Sequence, residues 1–293
     1  MGRNRRTHCL FSMTLITFVL SVGFAAHAQT PTAPSTATAS PTPTLEREFF
    51  KNVLRDQKAI WTAPFHLNRQ DTKWMVPFGI GSMALITTDR ISGDEMAESD
   101  RQVKASRIVS YGGSTYGVAA VAATFYLVGR KTNDSRARET GLLSAEASID
   151  GLIVSNVLKG ITQRARPLTG IERSEFFDGG SSFPSGHSVQ AWSVATIIAN
   201  EYHDHRAVQV AAYAAATAVS FSRFTGHEHY LSDVLVGSAI GYGIGQYVYH
   251  AHHRETSDSG DEDNPLKASR WPAITPQYSH RARQYGVALT WSF

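Results

Sequence analysis

Residues Ala207 to Phe221 read AVQVAAYAAATAVSF. This run lacks strand-like alternation and is dominated by small side chains that let helices approach closely. Working outward from it, apolar residues recur at helical spacing over 45–60, 75–88, 101–130, 138–159, 187–202, 206–222 and 231–251, with Gly, Asp, Asn and Pro in the intervening loops. The expected fold is all-α, a helical bundle. From Leu45 to His253 there are roughly 210 residues without a second linker, enough for one domain to bury a sizeable core.

The flanks have different compositions. Arg3, Arg5 and Arg6 precede an apolar run from Leu10 to Phe24 that ends in Ala26-His27-Ala28. That is the pattern of a secretory signal peptide over 1–28, and it predicts export to the periplasm or cell envelope. Residues 29–44 (QTPTAPSTATASPTPT) are expected to form a disordered Pro/Thr/Ala/Ser linker between the signal and the helical domain at 45–253. The formal net charge of +3 is carried by the three leading arginines, so the chain beyond residue 28 is neutral. No basic run interleaved with aromatics follows, so nucleic acid is not an expected partner. The only cysteine, Cys9, lies within the signal, leaving neither disulfides nor a thiol nucleophile afterwards.

An acidic, flexible linker is expected over 254–270 and a β-strand tail over 271–293. In that tail Tyr285, Val287, Leu289, Trp291 and Phe293 alternate with small or polar residues, and 271–278 is the candidate partner strand despite Pro272 and Pro276. A terminal aromatic strand is also compatible with outer-membrane association, and a terminal hairpin with a homo-oligomer contact, although one strand cannot close a barrel. Ile108–Gly129 and Val234–Tyr249 approach bilayer length. The other helices are too short or too polar, Glu146 and Asp150 interrupt one of them, and the mean hydropathy is −0.22. A soluble domain, or one associated with a membrane surface, is the expectation.

The chemistry lies in three segments. Lys159 falls in the last turn of one helix and Arg166 precedes Pro167, so two cations flank a helix-to-loop exit. Gly179-Gly180-Ser181-Ser182 delivers Pro184-Ser185-Gly186-His187 to the start of the next helix. There backbone N–H groups attract anions, Ser185 adds a hydroxyl, and Gly186 admits a phosphate oxygen close to the chain. An imidazolium at His187 can protonate a departing alkoxide. Ser222-Arg223 ends a third helix, and His229 and Asp233 are spaced i, i+4, so Asp233 can accept from one imidazole nitrogen and leave the other basic. His227 has Leu231 at the equivalent position, and Glu228 is expected to face solvent. No third ligand occurs at zinc-site spacing. Three permanent cations, two histidines and an orienting carboxylate are the parts needed to bind and transfer a phosphoryl group without metal.

Lys159-x6-Arg166-Pro167, Pro184-Ser185-Gly186-His187 and Ser222-Arg223-x5-His229-x3-Asp233 together resemble the signature of the type 2 phosphatidic acid phosphatase superfamily. Bacterial non-specific acid phosphatases and, more distantly, vanadate-dependent haloperoxidases share it. The resemblance implies a helical-bundle phosphatase acting on phosphate monoesters, lipid or soluble, with isoprenyl diphosphates a further option. It implies that Lys159, Arg166, Ser185, Gly186 and Arg223 hold the phosphate, that His229, oriented by Asp233, is the nucleophile, and that His187 is the acid. No cofactor is implied, and vanadate is expected to inhibit. Vanadate-dependent haloperoxidase chemistry and a non-enzymatic envelope module on the same scaffold are the rival expectations.

Overall fold

The computed structural model describes residues 42–66, 69–94, 99–167, 175–260, 273–279 and 284–290, with side chains over 45–65, 72–89, 99–167 and 175–253. The expected signal peptide, and all but the last three residues of the expected linker at 29–44, lie outside the described residues. The chain divides into two units, Met1–Tyr249 and His250–Phe293.

Eight α-helices are present among the described residues: α1 (Thr42–Thr62), α2 (Arg69–Asp94), α3 (Asp100–Ser110), α4 (Thr115–Thr132), α5 (Ser135–Thr162), α6 (Gly186–Glu201), α7 (Arg206–Thr225) and α8 (Leu231–Gly260). Two boundaries differ from the sequence expectation for identifiable reasons. The segment expected to be one helix over 101–130 breaks at a 3-10 turn, Tyr111–Gly113. Gly112 and Gly113 weaken a helix there, and Ser114 starts a new one by accepting the Gly117 N–H at 3.1 Å. At the other end α8 continues through 254–260, the start of the expected acidic linker. After Gly245 neither glycine nor proline interrupts it before Gly260. Between α4 and α5 the chain reverses through Asn133, in the left-handed region at φ 57°, and Asp134, whose carboxylate caps α5 by accepting from Ala137 N at 3.2 Å.

The core of the first unit follows the helical period. Leu143, Ala147 and Val154 of α5 meet Val189 and Ile197 of α6 and Ile244 and Val248 of α8, with Leu45 and Ile60 of α1 against them. A second cluster, Ala191 and Ala195 of α6 with Ala216 and Val219 of α7, shows what the small residues of the opening stretch achieve: α6 and α7 pack on alanines, closed over by Trp192 and Tyr213. Among the described residues only α5 is long and apolar enough to cross a membrane by length and composition, and 56 % of that stretch is buried within the fold. Helix α2, in contrast, exposes Trp74, Met75, Val76, Phe78, Ile80 and Met83. In the second unit β1 (Ala273–Ser279) and β2 (Gln284–Thr290) pair antiparallel, with Tyr278 opposite Tyr285 and Pro276 opposite Val287. A two-stranded ribbon tolerates that proline because each strand keeps one edge its neighbour does not use. Trp291 and Phe293 lie outside the described residues.

Helices α6 and α8 cross where Gly241 meets the Val189 carbonyl oxygen. A methyl group at 241 would collide with that oxygen and stand 2.9 Å from Trp192 Cβ. Gly241→Ala, which would stabilise an isolated helix, is therefore expected to destabilise this one by about 1–3 kcal/mol in denaturant unfolding.

Candidate active site

The exit from α5 builds the floor of the site. Gln163 closes the helix in the left-handed region (φ 43°), returning its N–H to Lys159 O at 2.9 Å. The chain then runs alongside the loop ahead of α6. Ala165 N donates to Glu175 O, Gly180 N to Gln163 O and Ser182 N to Arg164 O, at 3.1, 2.9 and 2.9 Å. This short ladder clamps the Gly-rich loop to the first motif. Ser185 caps α6, and its own N–H donates to the Asp233 carbonyl oxygen at 3.0 Å, tying the second motif to the third. Lys159 reaches across to the same place: a Cβ built on Gly186 would lie 3.3 Å from Lys159 Nζ, so any side chain at 186 would press on the ammonium.

The third motif folds back from the end of α7. Glu228 N and His229 N both donate to Arg223 O, at 3.1 and 3.3 Å, and His227 makes the turn in the left-handed region at φ 54°. The His227 ring is buried and its Nε2 has no hydrogen-bond partner among the described residues. His229 is buried to 1 % exposure. Its Nδ1 lies 2.7 Å from the Ser182 carbonyl oxygen. A carbonyl oxygen can only accept, so Nδ1 carries the proton and the lone pair of the neutral ring is on Nε2.

Asp233 acts differently from the sequence expectation. Its Oδ2 stands 3.7 Å from His229 Nδ1, too far for a hydrogen bond. Instead Oδ2 accepts from Ser182 Oγ and from Tyr230 N at 3.0 Å, and Oδ1 accepts from Arg164 Nη1 at 2.6 Å. Asp233 thus holds the residue whose carbonyl holds His229. The i, i+4 spacing brings the two side chains near, but the Ser182 carbonyl comes between them as the closer acceptor. Glu228 also departs from expectation. It is turned inward, its Oε2 2.8 Å from Arg166 Nη1 and 3.4 Å from Arg223 Nη2, because the two guanidinium groups attract the carboxylate.

Arg164, not singled out from the sequence, is the largest fully buried side chain among the described residues. Nη1 donates to Asp233 and to Ser232 Oγ (2.8 Å), and Nη2 donates to Asp89 Oδ2 at 2.8 Å. The guanidinium lies over the rings of Tyr230 and Phe176, at 4.4 and 4.8 Å from their centroids. Asp89, from α2, also accepts from Ser232 N at 3.1 Å and from the Ser232 hydroxyl, so it caps the start of α8. An arginine in a loop and an aspartate 75 residues earlier carry no local pattern that links them. Arg164 could have been suspected only from its closeness to Arg166.

The electrostatics tie the predicted residues into one place. Burial, then Arg223, His229, Lys159 and Arg166, push His187 down to about 3. Burial with Arg166 and Arg223 lowers Lys159, and burial, partly offset by Glu228, lowers Arg223, whose Nε is buried and unpartnered among the described residues. Burial lowers His229 as well, against the pull of Asp233. For Asp233 burial alone would raise the carboxyl, but His229, Arg164 and Ser182 outweigh it and hold it below the usual range. The result is a cluster of cations around two imidazoles whose charged forms are disfavoured. That arrangement suits an anion carrying more than one charge.

Residues 140–257 match the family model of the PAP2 superfamily. Over 70 residues the chain is 37 % identical to the lipid A 1-phosphatase of Porphyromonas gingivalis, a match covering 24 % of this chain and 16 % of that relative's length. Among solved structures it is similar to LpxE of Aquifex aeolicus, with 17 % identity, 56 % of this chain, 93 % of that one and a TM-score of 0.41. It is also similar to the transmembrane PAP2-type phosphatidylglycerolphosphate phosphatase of Bacillus subtilis, with 20 % identity, 74 % of this chain, 98 % of that one and a TM-score of 0.44.

Arg164→Met would remove the guanidinium shared by buried Asp89 and Asp233 and is expected to cost about 3–5 kcal/mol in urea unfolding. Adding Asp89→Asn should restore part of that loss, a coupling that a double-mutant cycle measures directly.

Proposed function

We propose that the chain, whose residues 140–257 match the family model of the PAP2 superfamily, is a phosphoric monoester hydrolase working through a phosphohistidine intermediate without a metal. The observation that carries this is convergence. Lys159, Arg166, His187, Arg223 and His229 come from three separate chain segments, yet they lie close enough to act on one another's charge, and Lys159 Nζ reaches Gly186 beside Ser185.

In this mechanism the phosphate sits among Lys159, Arg166 and Arg223, facing the Ser185 hydroxyl and the Gly186 N–H at the start of α6, where first-turn amides lack helical acceptors. It would satisfy the buried Arg223 Nε. The Nε2 lone pair of His229 attacks phosphorus, the P–O ester bond breaks, and the leaving oxygen takes its proton from His187. Positive charge develops on the His229 ring, which the Ser182 carbonyl and the nearby Asp233 carboxylate stabilise. Neutral His187 then takes a proton from water as the water oxygen attacks phosphorus. The P–N bond breaks, and orthophosphate and the neutral ring of His229 are restored. The three fixed cations stabilise the equatorial charge of the transition state.

The low His187 value fits this scheme once the substrate's charge is counted. In the empty pocket the imidazole is neutral at any pH well above 3. A bound phosphate dianion cancels the surrounding cations and favours the imidazolium, so binding and arming of the acid are one event. The same depression means that the empty protein loses stability as pH falls from about 6.5 toward the lowered value, because the unfolded chain binds that proton first.

A lipid phosphate monoester is the favoured substrate. The relative from P. gingivalis is a lipid A 1-phosphatase, and helix α2 exposes a run of large apolar side chains, Trp74, Met75, Val76, Phe78, Ile80 and Met83, suited to contact with lipid. The proposed location is the cell envelope, reached by way of the leader at 1–28.

Five measurements test the proposal. His229→Ala is expected to abolish hydrolysis while still binding orthophosphate, EDTA should leave the wild-type rate unchanged, and vanadate should inhibit. Full loss of activity on chelation would overturn the metal-free mechanism. Calorimetry of orthophosphate binding near pH 6, in buffers of different ionisation enthalpy, should show proton uptake in excess of that in His187→Asn; equal uptake in the two proteins would remove His187 as the acid. Finally, phosphatidic acid should be hydrolysed in preference to an isoprenyl diphosphate and to small phosphomonoesters. A preference for the small esters would make the substrate soluble.

A further inference from the structure

Glu228 brings a negative charge into a pocket otherwise built for anions. Its Oε2 lies 2.8 Å from Arg166 Nη1 and 3.4 Å from Arg223 Nη2, so one oxygen spans the two guanidinium groups assigned to the phosphate. A phosphate oxygen bridging those arginines would need the same position. The backbone holds Glu228 there, since its N–H donates to Arg223 O at 3.1 Å, while its side chain stays about one-third exposed. It also lines a small depression with Ser106, Arg107, Ser222 and Gly226, where α3 approaches the end of α7, and its partial exposure puts the carboxylate within reach of solvent.

We infer that Glu228 is an internal competitor for the phosphate site, which sets how tightly the pocket holds orthophosphate and thereby how quickly product leaves. This rests on the phosphatase function proposed above. With the carboxylate seated, the anion site is closed; an anion binds only to the fraction of molecules in which Glu228 has swung out, and its apparent affinity falls by that fraction. Orthophosphate has no leaving group to make further contacts, so it feels the competition in full. A substrate recovers part of the loss through contacts outside the phosphate pocket. The carboxylate thus weakens product binding relative to substrate binding without taking part in bond making or breaking.

The alternative is that Glu228 merely orients Arg166 and Arg223, and it predicts the opposite sign. Orthophosphate binding to the full chain, followed by titration calorimetry, should tighten about tenfold in Glu228→Gln and by a similar factor in Glu228→Ala. The inhibition constant of orthophosphate in steady-state hydrolysis should fall in step, with a lower KM and a lower kcat. Wild-type hydrolysis together with unchanged or weaker orthophosphate binding in both variants would overturn the inference and leave the phosphatase function standing. A wild-type protein that neither binds orthophosphate nor hydrolyses any phosphate ester would overturn both.

Discussion

The buried guanidinium of Arg164 is the contact on which the rest of the site depends. It is the shared partner of Asp89 from α2, Ser232 and Asp233 from α8, and the aromatic rings of Phe176 and Tyr230. A charge with no solvent exposure is tolerated only when its hydrogen bonds are met by groups of opposite charge, and that requirement brings three chain segments to one point. Its backbone contributes too, since Arg164 O receives the Ser182 N–H. One residue therefore positions both the carboxylate that holds Ser182 and the loop that carries Ser182, and through the Ser182 carbonyl it aims His229.

Two carboxylates, Asp89 and Asp233, share the Arg164 guanidinium in the buried cluster beside His229. Lys159, Arg166 and Arg223 in turn crowd two imidazoles whose charged forms are disfavoured. His229 thus has the Asp233 carboxylate on one side and the cations on the other. In the proposed mechanism such a field favours movement of electron density from the ring toward a bound phosphoryl group. Glu228 is the acidic side chain that spans Arg166 and Arg223 there.

Helix positions were largely legible in the sequence because burying a helix against its neighbours imposes a 3.6-residue period that survives in the order of residues. Leu143, Ala147 and Val154 on α5 keep it, as do Ile244 and Val248 on α8. The failures were local. The Gly112-Gly113-Ser114 break split a run whose apolar period continues on both sides, and α8 ran on through polar residues because nothing before Gly260 stops it. Candidate site residues stand out for a related reason: phosphate binding and transfer need particular side chains whatever their surroundings, so Lys159, Arg166, His187, Arg223 and His229 are singled out by chemical type, and the fold brings them within range of one another's charge.

The sequence by itself determined the helical architecture, the three cations, the two histidines and the order in which the chain supplies them. Only the tertiary structure decided which partner each of these groups has. The i, i+4 spacing of His229 and Asp233 suggested a direct hydrogen bond, but the loop carrying Ser182, 47 residues before His229, inserts its carbonyl between them. Asp89 and Arg164 are 75 residues apart, and Arg166 and Glu228 are 62 apart. Pairings of that range have no period and no local signature. They exist because folding removes water from around charges that must then find one another, and which charges meet is set by how the helices cross.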